Sequence, residues 1–318
     1  MDFRPDRMAT LYLISPLRRL ASGGQPTIPV LMYHSISDQD ESGVHAYYRT
    51  CTSPDVFAVQ MAYLRSHGYS TCSLAQALDQ LRSGTPTASN PVVITFDDGY
   101  SDFYRQAFPI LDRYGLNATV FLPTAYIGDH PAKFKGRDCL TWAEVRELSK
   151  HGMLFGSHTV THPQLRELSA AGVNEEIVNS KKAIEEKLGS AVDSFAYPFA
   201  FPQTEPEFKK MLVDSLQQAG YKNGVCTVVG RANRRSEPFF MERLPVNSCD
   251  DTALFNAKLV GAYDWISKFQ HLSKLAKGQL RRSPGIAKLH ISADLSRSHE
   301  PISGHVLVTP TRDNSAGL

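Results

Sequence analysis

Two adjacent carboxylates follow a β-branched run about one third of the way along the chain. The run Val92–Phe96 leads directly into Asp97-Asp98-Gly99-Tyr100. Burying two carboxylates is costly unless something neutralises them, and strand alternation would point neighbouring side chains apart. Gly99 allows the backbone to turn so that both carboxylates face one cavity, although an exposed Asp-Asp-Gly turn fits the same residues. Taken alone, the segment predicts either a surface turn or an acid–base and metal site.

Two histidines four residues apart are the second candidate. His158 and His162 follow the strand-like segment Met153–Gly156. The spacing suits a shared metal, but residues 159–161 are poor helix formers and Pro163 stops a helical turn, so we expect a loop held by tertiary contacts. A histidine pair alone is usually not a metal site. One carboxylate plus two imidazoles, however, leaves coordination positions open for water and substrate, as in catalytic sites.

Two further segments end predicted strands near polar or aromatic residues. Pro29–His34 predicts a buried strand that ends at His34, and Phe195–Ala200 is an apolar strand that runs into Pro198. A single histidine in such a place is more often a hydrogen-bonded core residue than a catalyst. Core packing is likewise the default for the aromatic side chains, so neither segment predicts chemistry by itself.

Strand and helix patterns alternate along the body of the chain, which predicts an α/β fold. The parallel sheet is open or closed into a barrel, and sites in such folds lie at the carboxyl ends of the strands. Seven helices are predicted: Pro54–His67, Ser73–Leu81, Asp102–Tyr114, Thr141–Gly152 with a capping-box pattern, Glu175–Leu188, Phe208–Ala219 and Asp250–Phe269.

We expect three parts: an N-terminal arm (1–27), a catalytic body (28–270) and a poorly ordered basic tail (271–318). The apolar run Met8–Ser15 follows Arg4 and Arg7, but it is short and Asp2 and Asp6 dilute the basic flank. A short amphipathic or disordered arm is therefore expected rather than a cleaved secretory signal, and a cytoplasmic rather than exported protein. No transmembrane segment is predicted.

Composition excludes several classes of protein. The 318 residues are 42% hydrophobic, which is enough for a buried core, and the formal net charge of +2 gives no support for binding nucleic acid. The five scattered cysteines contain no C-x-x-C pair, so neither a zinc framework nor a disulfide framework is expected.

These segments resemble the polysaccharide deacetylase family, that is, the NodB-homology domain of carbohydrate esterase family 4. Thr95–Gly99 resembles its TFDDG motif, Ser157–Pro163 its paired-histidine motif, and Phe195–Ala200 its third, proline-containing motif. Pro29–Asp38 is similar to the opening strand of the circularly rearranged subgroup that includes poly-N-acetylglucosamine deacetylases. The resemblance extends from about Ile28 to Ser248 and implies a distorted or incomplete (β/α) barrel.

The resemblance also implies a role for each motif residue. Asp98, His158 and His162 would hold a divalent metal, Zn²⁺ in the first place, with Co²⁺ or Ni²⁺ as alternatives. Asp97 would be the general base, and the backbone N–H of Phe199 would stabilise the oxyanion. The substrate would be an N-acetylated polysaccharide or oligosaccharide, and the products acetate and an amine.

The general acid and a positioning arginine are less directly implied. His34 is expected to be the acid, because the rearranged subgroup has a histidine there and a nearby carboxylate would raise its pKa. His290 and His305 in the tail are the rival candidates. Ala196 replaces the arginine that many members use to orient the base, and Arg243 resembles the arginine that fills this role in the rearranged subgroup. Ala200 stands where a glycine is common.

Two other functions remain open at this point. One is an O-acetyl esterase or small-amide hydrolase on the same fold, because fold does not fix the substrate. The other is a non-catalytic sugar-binding protein, which the presence of a base beside three metal ligands disfavours. The sequence predicts neither the particular polysaccharide nor the oligomeric state.

Overall fold

Seven parallel strands form a closed barrel in the computed structural model, which describes residues 4–20, 25–84, 90–201, 204–267 and 270. The strands are β1 Val30–Tyr33, β2 Pro91–Phe96, β3 Thr119–Leu122, β4 Leu154–Ser157, β5 Ser194–Ala196, β6 Asn223–Val229 and β7 Met241–Pro245. Each strand pairs with the next in the chain, and β7 pairs with β1 to close the barrel. The predicted (β/α) barrel is confirmed, and it has seven strands.

Helices surround the strands and cover their outer faces. They are α1 Pro54–Ser66, α2 Leu74–Ser83, α3 Phe108–Tyr114, α4 Trp142–Lys150, α5 Ala170–Leu188, α6 Pro206–Gln218 and α7 Thr252–Leu259. Capping boxes at Ser73 and Thr141 begin α2 and α4, since each N-cap side chain accepts a backbone N–H three residues on. Side chains of α2 form a separate apolar cluster with Val30, Val93 and Val225 of the strands.

Short paired strands lie in the segments between the barrel strands and the helices. The pairs are Thr27–Ile28 with Ala232–Asn233, Ser35–Ile36 with Cys51–Thr52, and Lys133–Phe134 with Arg137–Asp138, while Ser70–Thr71 adds to the outer edge of β2. The wider π-helical segment Phe103–Ala107 precedes α3, where Pro109 has no N–H for an ordinary helical bond.

The last predicted helix is interrupted. The sequence predicts one helix over Asp250–Phe269, but α7 ends at Leu259 and the chain turns through residues 260–264. Gly261 has φ +83°, and a Cβ there would lie 1.9 Å from an Arg231 guanidinium nitrogen. Arg231 in turn binds Asp264 at 3.1 Å. A tertiary contact that the local pattern does not contain therefore ends the helix.

Residues 5–20 of the N-terminal arm are helical, and the arm contacts the body. It runs through Pro5–Met8, Ala9–Ile14 and Ser15–Leu20. Arg4 binds Asp250 at 3.0 Å, and the Tyr263 hydroxyl donates to Asp6 at 2.7 Å. The predicted tail, 271–318, with His290 and His305, lies outside the described residues. Within the described residues no helix has the length and apolar character needed to span a membrane.

Candidate active site

The predicted site residues meet at the carboxyl ends of the barrel strands. A cavity of about 270 Å³ is lined by His34 after β1, Asp97 and Asp98 after β2, the two histidines after β4, and Phe199 after β5. Arg243, on β7, reaches Asp97 from inside the barrel. All seven residues predicted from the sequence are thus brought together.

The two carboxylates face one cavity because the backbone turns between them. Asp98 has φ +70° and Gly99 has φ +60°, so the turn begins one residue earlier than the glycine predicts. A left-handed conformation at a residue other than glycine costs about 1–3 kcal/mol and is maintained by the surrounding structure. Asp97 and Asp98 are both buried, which excludes the exposed Asp-Asp-Gly turn.

Of the two carboxylate oxygens of Asp98, one accepts a hydrogen bond and the other has no hydrogen-bond partner in the part of the chain that the structure describes. Its Oδ2 accepts a hydrogen bond from the Tyr100 hydroxyl at 3.0 Å and lies 3.5 Å from Lys135 Nζ. Its Oδ1 is buried and has no hydrogen-bond partner among the described residues. Burial raises the pKa of Asp98, but contact with His162 and the nearby His34 and Lys135 outweigh it and hold the pKa well below its usual range.

The histidines lie on a loop, as expected, and polar contacts fix its shape. Thr159 and His162 have φ +70° and +58°. The Thr159 Oγ1 accepts the His162 N–H at 3.0 Å, and the Ser157 Oγ accepts the Thr159 N–H at 3.1 Å. These bonds fold the five-residue loop so that both imidazoles approach Asp98.

One ring nitrogen of His158 has a lone pair available to a ligand. Its Nδ1 lies 2.8 Å from the Ala196 carbonyl oxygen, which can only accept, so Nδ1 carries the proton and Nε2 has the lone pair. Burial lowers the pKa of His158 to about 4, against the opposing effect of Asp97, so the ring is neutral at neutral pH.

The three ligands fit a divalent cation. One ligand atom each from Asp98, His158 and His162 lie within 4.8 Å of one another. Asp98 Oδ1 is 3.6 Å from His158 Nε2 and 3.2 Å from His162 Nε2. Two ligands of a tetrahedral zinc ion, each at about 2.1 Å, are separated by about 3.4 Å. The orphaned carboxylate oxygen and these separations match the donor set of a metal site.

The buried side chain of Arg243 forms an ion pair with both oxygens of Asp97. Its Nη1 and Nη2 donate to the two carboxylate oxygens, each at 2.7 Å, and the side chains of Arg243 and Asp97 are 0% and 3% exposed. Arg243 also donates to the Cys226 carbonyl oxygen and the Thr95 hydroxyl. Burial raises the pKa of Asp97, but Arg243 and then His158 outweigh it, so the pKa lies below the ordinary value. Asp97 is therefore ionised at neutral pH.

The expected upward pKa shift of His34 is wrong. Burial is the largest influence and lowers the pKa, and Arg243 and Lys135 lower it further. Asp97 and Asp98 raise it, as the sequence suggested, but by less than burial lowers it. The strand position of His34 was predictable, whereas its desolvation depends on elements far apart in the chain.

Phe199 presents both its backbone and its ring to the cavity. It has φ +59°, and within the described residues its N–H has no hydrogen-bond partner. Its ring packs against His162 with centroids 4.7 Å apart and is 46% exposed. The other aromatic residues near the motifs, Tyr100, Trp142 and Phe201, are buried. Phe199 is thus the one of these four that a sugar ring could contact.

Lys135 and Glu176 are among the residues at the site that the sequence did not predict. Lys135 turns a tight hairpin with φ +49° and places its ammonium group beside Asp98. Glu176, on α5, accepts hydrogen bonds from the loop that carries the histidines. Neither residue lies in a motif, and only the packing of their elements brings them to the site.

The chain carries a known family domain. Residues 84–224 match the family model described as polysaccharide deacetylase. The barrel, the site and this match show that the chain contains a polysaccharide deacetylase domain of the NodB-homology and carbohydrate esterase family 4 type, a class of hydrolases. Asp97 and the three candidate metal ligands lie inside the matched segment. His34 and Arg243 lie outside it.

Some similar proteins match over more of the chain than the family model does. The Bacillus subtilis protein YxkH is 29% identical over 230 residues, 72% of this chain and 75% of its own length. A poly-β-1,6-N-acetyl-D-glucosamine N-deacetylase from Escherichia coli K12 is 34% identical over 139 residues, but only 41% of this chain and 20% of that protein are covered. The structure of Streptococcus pyogenes deacetylase PplD, in complex with acetate, is similar with a TM-score of 0.65 and 26% identity over 74% of this chain and 99% of that one.

Proposed function

We propose that this protein is a metal-dependent deacetylase that hydrolyses N-acetyl groups of poly-N-acetylglucosamine or a related N-acetylated oligosaccharide, and releases acetate. The observation that carries the proposal is the cluster of Asp98, His158 and His162 beside an Arg243-bound Asp97 in one cavity. The name of the Escherichia coli relative supports the choice of sugar.

Asp98, His158 and His162 would hold the metal, with Zn²⁺ proposed ahead of Co²⁺ and Ni²⁺. Two imidazoles and one carboxylate form a donor set that leaves positions open, as catalytic zinc sites do. When bound, the cation supplies Lewis acidity that polarises an acetamide carbonyl and makes water more acidic. Lys135 would keep the second oxygen of Asp98 turned away from the ligand position.

Asp97 would take a proton from the attacking water as its oxygen bonds to the acetamide carbon. Arg243 keeps the carboxylate ionised and fixes both of its oxygens in place. The Phe199 N–H would donate to the carbonyl oxygen as negative charge develops on it. Asp97 and Phe199 line the same cavity, and Arg243 contacts Asp97 from within the barrel.

His34 would protonate the amine as the carbon–nitrogen bond breaks, because an amide anion cannot leave near neutral pH. Its lowered pKa makes it neutral in the resting site at neutral pH. The proton that Asp97 takes from the attacking water would pass to His34, and the resulting imidazolium would donate it to the departing amine.

Acetate release from defined substrates tests the proposal. The purified protein, loaded with Zn²⁺, is assayed on poly-β-1,6-N-acetylglucosamine, chitooligosaccharides, peptidoglycan and acetyl-xylan. We expect release from the N-acetylated polymers, loss on chelation, and recovery with Zn²⁺ or Co²⁺. Asp97→Asn should lose most turnover, whereas Asp112→Asn on the exposed side of α3 should not. Full activity of metal-free protein, or release from acetyl-xylan alone, would contradict it.

A further inference from the structure

We infer that Glu176 is a positioning residue for the metal-binding histidines and sets the affinity of the site for its cation. This rests on the proposed metal site. Glu176 lies in the first half of α5, fourteen residues beyond His162, and its carboxylate reaches back to the loop between the two histidines.

One carboxylate binds three donors on two consecutive loop residues. Oε2 accepts the N–H of Val160 at 2.7 Å and the N–H of Thr161 at 2.9 Å, and Oε1 accepts the Thr161 hydroxyl at 2.7 Å. Bonds from backbone N–H groups to an ionised carboxylate are stronger than bonds between neutral groups. Glu176 therefore anchors the middle of the loop, between the two ligands.

The loop needs an external anchor because its backbone is strained. Thr159 and His162, on either side of the anchored residues, both have left-handed backbone conformations. Strained residues keep such conformations only when surrounding contacts impose them. On the other side of the loop, the N–H groups of Thr124 and Ala125 donate to the carbonyl oxygens of Thr159 and Val160. The loop is thus held from both sides, by α5 and by the segment after β3.

Groups that orient metal ligands without touching the metal change metal affinity about 10–100-fold when they are removed. Glu176 fits this role because it orients the histidines through hydrogen bonds to the loop that carries them, and not through a hydrogen bond to an imidazole. Loss of its bonds would let the loop relax, and His158 and His162 would no longer approach Asp98 together. A purely structural role for Glu176 would lower the stability of α5 and leave the affinity for metal unchanged.

Zn²⁺ titration against a chelating indicator tests this on the full chain. We expect Glu176→Gln to bind Zn²⁺ about 10–100-fold more weakly than the wild type. The matched control is Glu175→Gln, which removes the same charge from the next, exposed residue of α5 and should leave affinity unchanged. The visible spectrum of the Co²⁺-loaded protein should also change in Glu176→Gln and not in Glu175→Gln.

The outcomes separate this inference from the proposed function. Wild-type affinity and an unaltered Co²⁺ spectrum in a folded Glu176→Gln protein would overturn the role of Glu176 and leave the deacetylase proposal intact. Equal weakening in both variants would show a general charge effect and also overturn it. A wild-type protein that binds Zn²⁺ but releases no acetate would contradict only the proposed function.

Discussion

Replacing Arg243 with methionine should make the ionisation of Asp97, the proposed catalytic base, sensitive to pH. The substitution keeps an unbranched side chain of similar length but removes the guanidinium that donates to both oxygens of Asp97. Burial raises the pKa of Asp97, and the positive charge of Arg243 is the main influence that lowers it. The substitution would remove that opposing influence. The pKa of Asp97 should therefore rise, and the carboxyl group should begin to be protonated at a pH where the wild-type group is ionised.

The size of the effect follows from the geometry of the pair. Charges about 4 Å apart interact by about 4 kcal/mol at the effective dielectric constant of about 20 that suits buried groups. Each 1.4 kcal/mol corresponds to about a tenfold change in an equilibrium, so the proton-binding constant of Asp97 should rise by about 10²–10³-fold, and kcat/KM should fall over the pH range in which the carboxyl group becomes protonated. Breaking a buried pair also costs about 3–5 kcal/mol of stability.

The assay is the pH profile of kcat/KM for acetate release. We expect the acidic limb of the profile to move to higher pH in Arg243→Met, and to move less in Arg243→Lys, which keeps the charge but loses the two-pronged contact. Arg231→Met is the matched control, because it removes a largely buried ion pair with Asp264 outside the cavity. Arg231→Met should lower the free energy of unfolding and leave the acidic limb of the kcat/KM profile at the wild-type pH.

Because the folded fraction also varies with pH, it is measured at each pH and kcat/KM is expressed per folded enzyme before the profiles are compared. An Arg243→Met enzyme with a lower plateau but an acidic limb at the wild-type pH would refute the reasoning. It would mean that Arg243 supports the barrel and does not control the ionisation of Asp97.

Three further predictions follow from the site. Asp98→Asn should weaken Zn²⁺ binding, whereas Asp97→Asn should retain metal and lose turnover, as metal analysis and acetate release would show. His34→Ala should lower kcat on acetamides by about 10²–10⁴-fold but have far less effect on activated aryl acetates, whose leaving groups need no proton. Since folding lowers the pKa of His158 to about 4, the unfolded chain binds more protons, and metal-free protein should lose about 3 kcal/mol of stability between about pH 6.5 and 4, measured by denaturant unfolding.

Each of the three predictions would be contradicted by a particular result. Equal metal content and equal residual rates in the two aspartate variants would contradict their separate roles. Equal losses on both substrate classes would remove His34 as the acid. For the pH dependence, the control is His158→Gln, which has no titrating ring; a wild-type slope in that variant would assign the loss of stability to other groups.

Local chemistry explains which features could be predicted. The caps at Ser73 and Thr141 are formed by side chains within three residues of the backbone groups that they bind, so the sequence predicts where α2 and α4 begin. The two histidines were correctly expected on a loop, since β-branched residues and a proline disfavour a helix there. The metal ligands could be proposed because each lies in a short motif.

Other features depend on contacts between distant segments. Arg243 and Asp97 are 146 residues apart, and only the family resemblance suggested that they meet. The end of α7 depends on Arg231, and the pKa of His34 depends on burial by several elements. Glu176 stands in an ordinary helical pattern, so nothing in the sequence distinguishes it from its exposed neighbour Glu175.

The sequential order of the barrel strands has a consequence for synthesis on the ribosome. All three candidate metal ligands have been made once residue 162 is added, but the partner of Asp97 lies on β7, the last strand. A nascent chain that lacks β7 can contain the complete ligand set and still leave Asp97 without its arginine. Insertion of β7 between β6 and β1 closes the barrel and delivers Arg243 in one step. Barrel closure therefore also completes the arginine–aspartate pair of the proposed catalytic base.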